Sequence, residues 1–400
     1  MTHVSMTETK KAMIVLVTLL SMLISGFAID IYTPSLPAVT AYFGVDKAQV
    51  QLTITTYLIG YGLSQLYAGS ISDSFGRKNP LMIAFFLFGV ISLLIPYSQT
   101  INELQFLRFF QGMTVGFVNV PGRAIVADLY EGPAFYRVIN YLTIAWAIGP
   151  IIAPAIGGYL QHYIGWYASF YFLGIYSAIV FGLNLMLLTE TIIIKHQFNH
   201  KELVVWYWRL LKDKNYLLGL ICLGLLYSML VLFGVVAPFL IQDVLHYSAV
   251  QFGHMALLTG FAWFLGNITN RFLANYRILL KVRLSLLAML FAVIMMFLMA
   301  LKDAININDI VIPTIVIFYF GGLIFPNYFA QNIALYRHVA GYANGLMGGV
   351  VVFIAGLGGA LGVILKSTTQ IPLTAAFLGI IIFCLFSSFT IKHQELDSKK

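Results

Sequence analysis

Residues 12–33 read AMIVLVTLLSMLISGFAIDIYT, with one charged side chain, Asp30, near the end. A helix rises about 1.5 Å per residue, so a run of this length covers the roughly 30 Å hydrocarbon layer of a bilayer. The run is longer than the apolar part of a secretory signal, and no small-residue cleavage pattern follows it, so it reads as a retained first span. Eleven further runs of the same character lie at 47–71, 79–98, 104–127, 136–160, 165–188, 216–240, 249–271, 280–300, 310–335, 343–365 and 370–391. Sixty per cent of the 400 residues are hydrophobic and ten per cent charged, whereas a soluble domain carries about 25% charged residues. No soluble core absorbs that much apolar surface, and the short connections leave no room for a separate soluble domain. The expected fold class is all-α and integral to the membrane, with twelve transmembrane helices.

The formal net charge of +8 would suit nucleic acid if it lay on one soluble face, but the cations sort by loop. With the N-terminus inside, only Lys47, Lys302 and Lys366 fall in outer loops, and Arg108 and Arg123 lie within a span. All the other lysines and arginines fall in cytoplasmic segments, an asymmetry that sets orientation by the positive-inside rule and puts both termini in the cytoplasm. The partner implied is the lipid bilayer, with no nucleic acid. Cys222 and Cys384 lie within spans, which argues against a structural disulfide or a metal site. The eight histidines are scattered. A polytopic lipid or isoprenoid transferase would need acidic or histidine clusters in a cytoplasmic loop to hold metal and phosphate, and the loops carry none, so no enzyme and no cofactor is expected.

One long connection interrupts the runs. The segment from Thr189 to Asn215 is lysine-rich and holds Trp206 and Trp208, the composition of a helix lying in the membrane interface. It divides the chain into a six-helix bundle over 1–190, a cytoplasmic linker over 191–215 and a second six-helix bundle over 216–400. Such a division invites a search for an internal repeat. The second span ends in Gly69-Ser-Ile-Ser-Asp73-Ser-Phe-Gly76-Arg77-Lys78, and the eighth ends in Gly266-Asn-Ile-Thr-Asn270-Arg271, with glycine and a short polar side chain at the same spacing in the corresponding place.

Four motifs carry a resemblance that covers nearly the whole chain. They are the Gly69–Lys78 loop, which matches G-x-x-x-D-x-x-G-R-K; Arg108, Gln111 and Gly112, which match R-x-x-Q-G; the Ala147-Ile-Gly149-Pro150-Ile-Ile-Ala-Pro154-Ala-Ile-Gly157-Gly158 run; and Asp30-Ile-Tyr-Thr-Pro34-Ser-Leu-Pro37, which matches D-x-x-x-P-x-x-P. Together they resemble the major facilitator superfamily, and within it the proton-coupled drug-efflux branch of Bcr/CflA and MdfA-like exporters. That resemblance implies the major facilitator fold of two pseudo-symmetric bundles and a monomer in a bacterial inner membrane. It also implies alternating access that moves a small-molecule substrate, with the proton gradient as energy source.

Asp30 is the first candidate for that coupling. An ionisable group in hydrocarbon is expensive and normally faces a partner or a wet cavity. Removal from water disfavours the charged form of a carboxyl, so a buried one exchanges its proton closer to neutral pH. The alternative is an acid near the outer surface that caps the Pro34 turn. Arg108 lies at a matching depth in the fourth span and is expected either to pair with Asp30 as a switch or to serve as a helix-to-helix hydrogen-bond donor. In MdfA-like exporters a second acid lies further in along the first span. Met22 stands at that position, which argues against broad recognition of cationic drugs.

Arg123, in the inner half of the fourth span, is expected to face water or an anionic ligand. The resemblance implies that Gly69, Asp73, Gly76, Arg77 and Asp128 form an inner gate that holds an outward-facing state. It also gives the fifth span, with Gly149, Pro150, Pro154, Gly157 and Gly158, an exporter's signature, and small residues with prolines allow close approach and bending. Substrate-site candidates are Arg123, Asn119, Tyr57, Tyr61, Tyr227, Asn327, Gln331 and Asn332, each of which can equally be interhelical glue. The substrate class stays open between an amphipathic drug and an anionic metabolite such as a carboxylate siderophore, exported or taken up by proton symport. A non-transporting receptor is the remaining alternative.

Overall fold

The computed structural model describes residues 6–192, 195, 197–301, 305–336, 339–364 and 369–390. Lys302, Arg337, Lys366 and the lysines at 392, 399 and 400, which enter the charge pattern, lie outside the described residues, as does the C-terminus. The helices are α1 (Glu8–Asp30), α2 (Leu36–Phe43), α3 (Lys47–Phe75), α4 (Lys78–Leu94), α5 (Ile101–Leu129), α6 (Gly132–Tyr163) and α7 (Ala168–Leu187). After them come α8 (His200–Lys212), α9 (Lys214–Phe239), α10 (Ala249–Phe272), α11 (Ile278–Ala300), α12 (Ile307–Leu335), α13 (Ala340–Ile364) and α14 (Ile371–Thr390). No strand occurs among the described residues.

Side-chain caps begin many of these helices. Thr7, Thr100, Asn199, Asp213 and Asn306 each accept a hydrogen bond from a backbone N–H of the first turn, and Ser248 forms a capping box with Gln251. The first span breaks at Pro34, which lacks an N–H and disfavours helix in the residue before it. A tight turn over Thr33–Ser35 follows, and α2 carries the chain on to Gly44, where φ is +62°.

Nine stretches among the described residues are long and apolar enough to cross a membrane. The helices α3, α5 and α6, with 29, 29 and 32 residues, match them in length but not in hydropathy. The reason shows in what α3 and α5 bury: Gln51, Ser64 and Gln65 in the first, Arg108, Gln111 and Asn119 in the second. These polar groups are buried in the bundle, so hydropathy understates the helices that carry the chemistry.

Two large hydrophobic cores form, beside a small third cluster of Met22, Val126 and Leu142. One gathers residues from Ile14 to Leu188, and the other gathers residues from Leu210 to Cys384. Val231, Val235 and Phe239 of α9 and Val352 and Ala355 of α13 belong to the first core, which welds the halves together. The halves meet along α3 with α13 and α6 with α10. Inside each half a reciprocal glycine contact recurs. A Cβ on Gly60 would stand 2.1 Å from the Phe109 carbonyl and one on Gly112 2.0 Å from that of Tyr57, while in the second half Gly266 meets the Tyr319 carbonyl at 1.9 Å and Gly322 that of Trp263 at 2.0 Å. Each glycine touches the residue three before its partner glycine, so both halves use one device to bring two helices together.

Candidate functional site

Asp30 closes α1 where the helix gives way to the Pro34 turn. Its backbone carbonyl accepts from the Thr33 hydroxyl at 2.9 Å, and the residue lines a cavity between the two halves. Tyr227, Phe233, Phe252, Trp263 and Phe318 supply the aromatic wall, and Pro150 and Pro154 of α6 form part of the opposite side. The cavity holds about 90 Å³, well below the roughly 300 Å³ at which ligand pockets begin. It has room for several waters as it stands.

Arg108 does not ion-pair with Asp30 in this structure, the first of the two expected arrangements. Its guanidinium reaches the right depth, because one Nη donates to the Ala28 carbonyl of α1 at 3.0 Å and to Gln111 Oε1 at 2.6 Å. The rest of the group lies among rings, 4.2 Å from the Tyr57 centroid, 5.4 Å from Tyr32 and 5.8 Å from Phe170. It is fully buried, and its Nε and second Nη donate to nothing among the described residues. The planar fork is held by the α1 backbone and cation–π contacts, so it acts here as the helix-to-helix donor of the two readings. Gln111 passes the chain on by donating to Ser92 of α4 at 2.7 Å.

The remaining candidates separate into two groups. Tyr57, Tyr61 and Tyr227 cluster close enough to Asp30 or to one another to interact electrostatically, and Asn119 donates to the Tyr61 hydroxyl. Arg123 stands beside Tyr61 and makes no ion pair among the described residues; its side chain is open to solvent yet surrounded by the protein. Asn327 and Asn332, expected at the substrate site, are instead used between helices: Asn327 donates to Asn270 of α10 as well as to the Leu323 carbonyl of its own helix, and Asn332 donates to the Tyr216 carbonyl of α9. Gln331 is half-buried nearby on α12.

At the end of the bundle richest in cations, Arg77 binds Asp73, donates to Asp128 at 3.2 Å and reaches the Ser72 hydroxyl at 3.0 Å. Burial works against its charge and the two carboxylates outweigh that, so Arg77 holds its proton more tightly than a free arginine. Glu190, which the motifs did not mark, completes this cluster. It accepts from the backbone N–H of Arg77 at 2.9 Å and of Lys78 at 3.3 Å, at the positive end of α4, and occupies the space a Cβ on Gly76 (φ +101°) would need. Thr191 then donates to Asp128 at 2.8 Å. Gly69 makes only ordinary contact with Val120. All of these groups belong to the first half and the start of the linker.

The opposite end of the molecule is closed by contacts between the halves. Lys47 pairs with Asp243 at 2.7 Å, Gln51 donates to the Val235 carbonyl at 3.0 Å, Gln242 donates to that of Pro34 at 3.0 Å, and Tyr159 meets His254 at 3.1 Å. The intact Arg77 cluster and this closure coexist. In the expected hinge, α6 runs unbroken from Gly132 to Tyr163. A Cβ on Gly149 would stand 3.0 Å from Gly26 of α1, one on Gly157 1.9 Å from the Ile31 carbonyl, and one on Gly158 2.5 Å from that of Ala249 in α10. The small residues therefore let α6 pack on its own half and on the other half at once.

Two helical halves with a shared cavity, a lone acid on its wall and polar clusters at both ends define a membrane transporter, not an enzyme. The Major Facilitator Superfamily model matches residues 18–363, and the chain belongs to that family. It is 24% identical to a bicyclomycin resistance protein homolog of Haemophilus influenzae over 98% of this chain and 100% of the relative. It is 25% identical to multidrug resistance protein D of Escherichia coli over 92% of this chain and 93% of the relative. Among solved structures, a bacterial homolog of the human lysosomal transporter Spinster, inward-facing and occupied, superposes with a TM-score of 0.73 at 13% identity, covering 96% of this chain and 97% of that one. Both relatives carry names that describe drug resistance, and the chain shares their multi-pass membrane family.

Proposed function

We propose that this protein exports a small amphipathic molecule across a bacterial inner membrane in exchange for protons, with Asp30 as the proton-carrying group. The observation that supports this reading is the position of Asp30: it lines the cavity between the halves, with no cation within ion-pair distance of its carboxylate among the described residues. A carboxylate so placed gains little from staying charged until a proton or a cationic group arrives. The positive-inside rule makes the Arg77 end cytoplasmic, so the Lys47–Asp243 closure faces outward and the cytoplasmic half gives access. Arg77, Asp73, Asp128 and Glu190 serve as the inner gate in this reading, and the Gly149–Gly158 stretch as the sliding contact between halves. The chain works as a monomer and draws its energy from the proton gradient, with no bound cofactor.

Bicyclomycin and ethidium taken up by proteoliposomes under an imposed proton gradient test the proposal. Wild type is expected to accumulate substrate when the lumen is acidic, and Asp30→Asn is expected to lose gradient-driven uptake while keeping substrate binding. Gradient-driven uptake by the Asn variant at the wild-type rate would remove Asp30 from its role. A second reading rests on Arg123: an exposed cation beside Tyr61 and Asn119 suits an organic anion such as a carboxylate siderophore, carried out or brought in by symport. Citrate counterflow, together with accumulation of the opposite sign under the same gradient, selects that reading.

A further inference from the structure

Between the halves, α8 presents a face that the transport reading does not use. Leu203 and Leu210 are buried, whereas Val204, Val205 and Trp208 are exposed to 48%, 46% and 62%. The exposed Lys201, Arg209 and Lys212 interleave with them, and Glu202 is the one acid in the helix. The Lys212 ammonium sits 5.2 Å from the Trp208 ring and the Arg209 guanidinium 5.0 Å from that of Trp206. Apolar side chains held out toward water are unfavourable at about 25 cal/mol per Å², while the same side chains at a lipid boundary, with cations among them, are favourable. Only Asp213 separates α8 from the membrane helix α9, so a leaflet surface is within reach of this face.

The buried side of the helix touches both halves. The Tyr207 hydroxyl donates to the Leu66 carbonyl of α3 at 2.7 Å. Trp206 stacks on Tyr342 of α13, with centroids 6.1 Å apart and planes at 16°. Whatever holds the outer face of α8 therefore acts on the α3–α13 seam.

We propose that the Val204, Val205 and Trp208 face, with Lys201, Arg209 and Lys212, docks on anionic phospholipid headgroups of the leaflet at the basic end, and that this docking tunes how freely the halves separate there. The placement of that end in the cytoplasmic leaflet rests on the orientation proposed above. The docking itself does not depend on Asp30 or on which substrate is moved. A basic residue near an anionic surface is worth about 1 kcal/mol, roughly fivefold in affinity, so three together are enough to select anionic over zwitterionic lipid.

The full chain in vesicles of phosphatidylcholine, with and without phosphatidylglycerol, tests the docking through quenching of tryptophan fluorescence by brominated lipids. Brominated phosphatidylglycerol is expected to quench more than brominated phosphatidylcholine. That excess should disappear in Trp208→Phe, should disappear in Lys201→Gln/Arg209→Gln/Lys212→Gln with Trp208 in place, and should shrink as salt rises. Equal quenching by the two lipids, or an excess that survives the triple substitution, overturns the proposal. So does strong quenching of Trp208 by aqueous iodide without any by brominated lipid, which would assign the face to a water-soluble partner. Thermal unfolding of the triple variant in detergent, expected to match wild type, separates lost docking from lost folding.

Discussion

Arg108 is the side chain whose neighbours matter most. A cation enclosed by Tyr57, Tyr32 and Phe170 is stabilised by ring faces, each contact worth up to about 2 kcal/mol when desolvated, while each buried donor without a partner costs about 1–3 kcal/mol. The balance depends on a flat group that reaches Ala28 and Gln111 from one nitrogen. A lysine has the charge but not the plane. Arg108→Lys is therefore expected to lower stability by about 1–3 kcal/mol, seen as a lower melting temperature in detergent, with the chain still folded. A melting temperature equal to wild type would show that charge alone is enough. Asp30 stood out in the sequence because it is the one acid in its span. The partner of Arg108 did not, because a carbonyl carries no sequence label and only the rotation of α1 against α5 selects Ala28. Glu190 was equally hidden: Thr189-Glu190-Thr191 looks like any span end until the fold sets it over Gly76.

The helices hold together by close approach. Gly112 and Gly322 lie against carbonyls at distances no Cβ tolerates, whereas Gly182 on α7 has nothing within 4 Å. Gly112→Ala and Gly322→Ala should each destabilise by about 1–3 kcal/mol, as overpacking does. Gly182→Ala should be neutral or stabilising by up to about 1 kcal/mol, because alanine favours helix. Thermal unfolding of the three variants side by side checks this, and equal shifts would mean that the contacts yield freely. The loop-ending motif of the second span and its faint copy in the eighth suggested a repeat. The reciprocal glycine pairs that complete it sit mid-helix, in stretches where one glycine looks like another. Likewise Asn327 and Asn332 read as cavity groups because α12 reads as a cavity helix, and helix rotation turned their amides to Asn270 and Tyr216 instead.

The whole molecule is closed between its halves by a small set of polar contacts at one end. The Lys47–Asp243 pair joins the halves at the end opposite Arg77, with side chains 39% and 37% exposed. An ion pair that open to solvent contributes about 0–1 kcal/mol, so it biases the state of the protein by a few-fold at most. With Cys222 and Cys384 replaced by serine and a cysteine placed at Thr33 on the cavity wall, Asp243→Asn should increase labelling from the outer side by a membrane-impermeant maleimide. The increase should be about two- to fivefold, and the exchange of the two charges, Lys47→Asp with Asp243→Lys, should return it to the starting level. No change in labelling would assign the closure to Gln51, Gln242 and the packing of Gly158 on Ala249.

Membrane insertion, the helical class and family membership were all determined by the sequence alone, because the length of an apolar run and the spacing of a motif are one-dimensional quantities that survive an error of several residues at each boundary. Which groups face one another was decided only by the tertiary structure. Each residue turns a helix by about 100°, so a boundary error of one or two positions is enough to swing a side chain from the cavity to the packing seam. The exposed face of α8, the carbonyl under Arg108 and the acid over Gly76 all depend on that angle, and it is fixed by contacts between residues far apart in the chain.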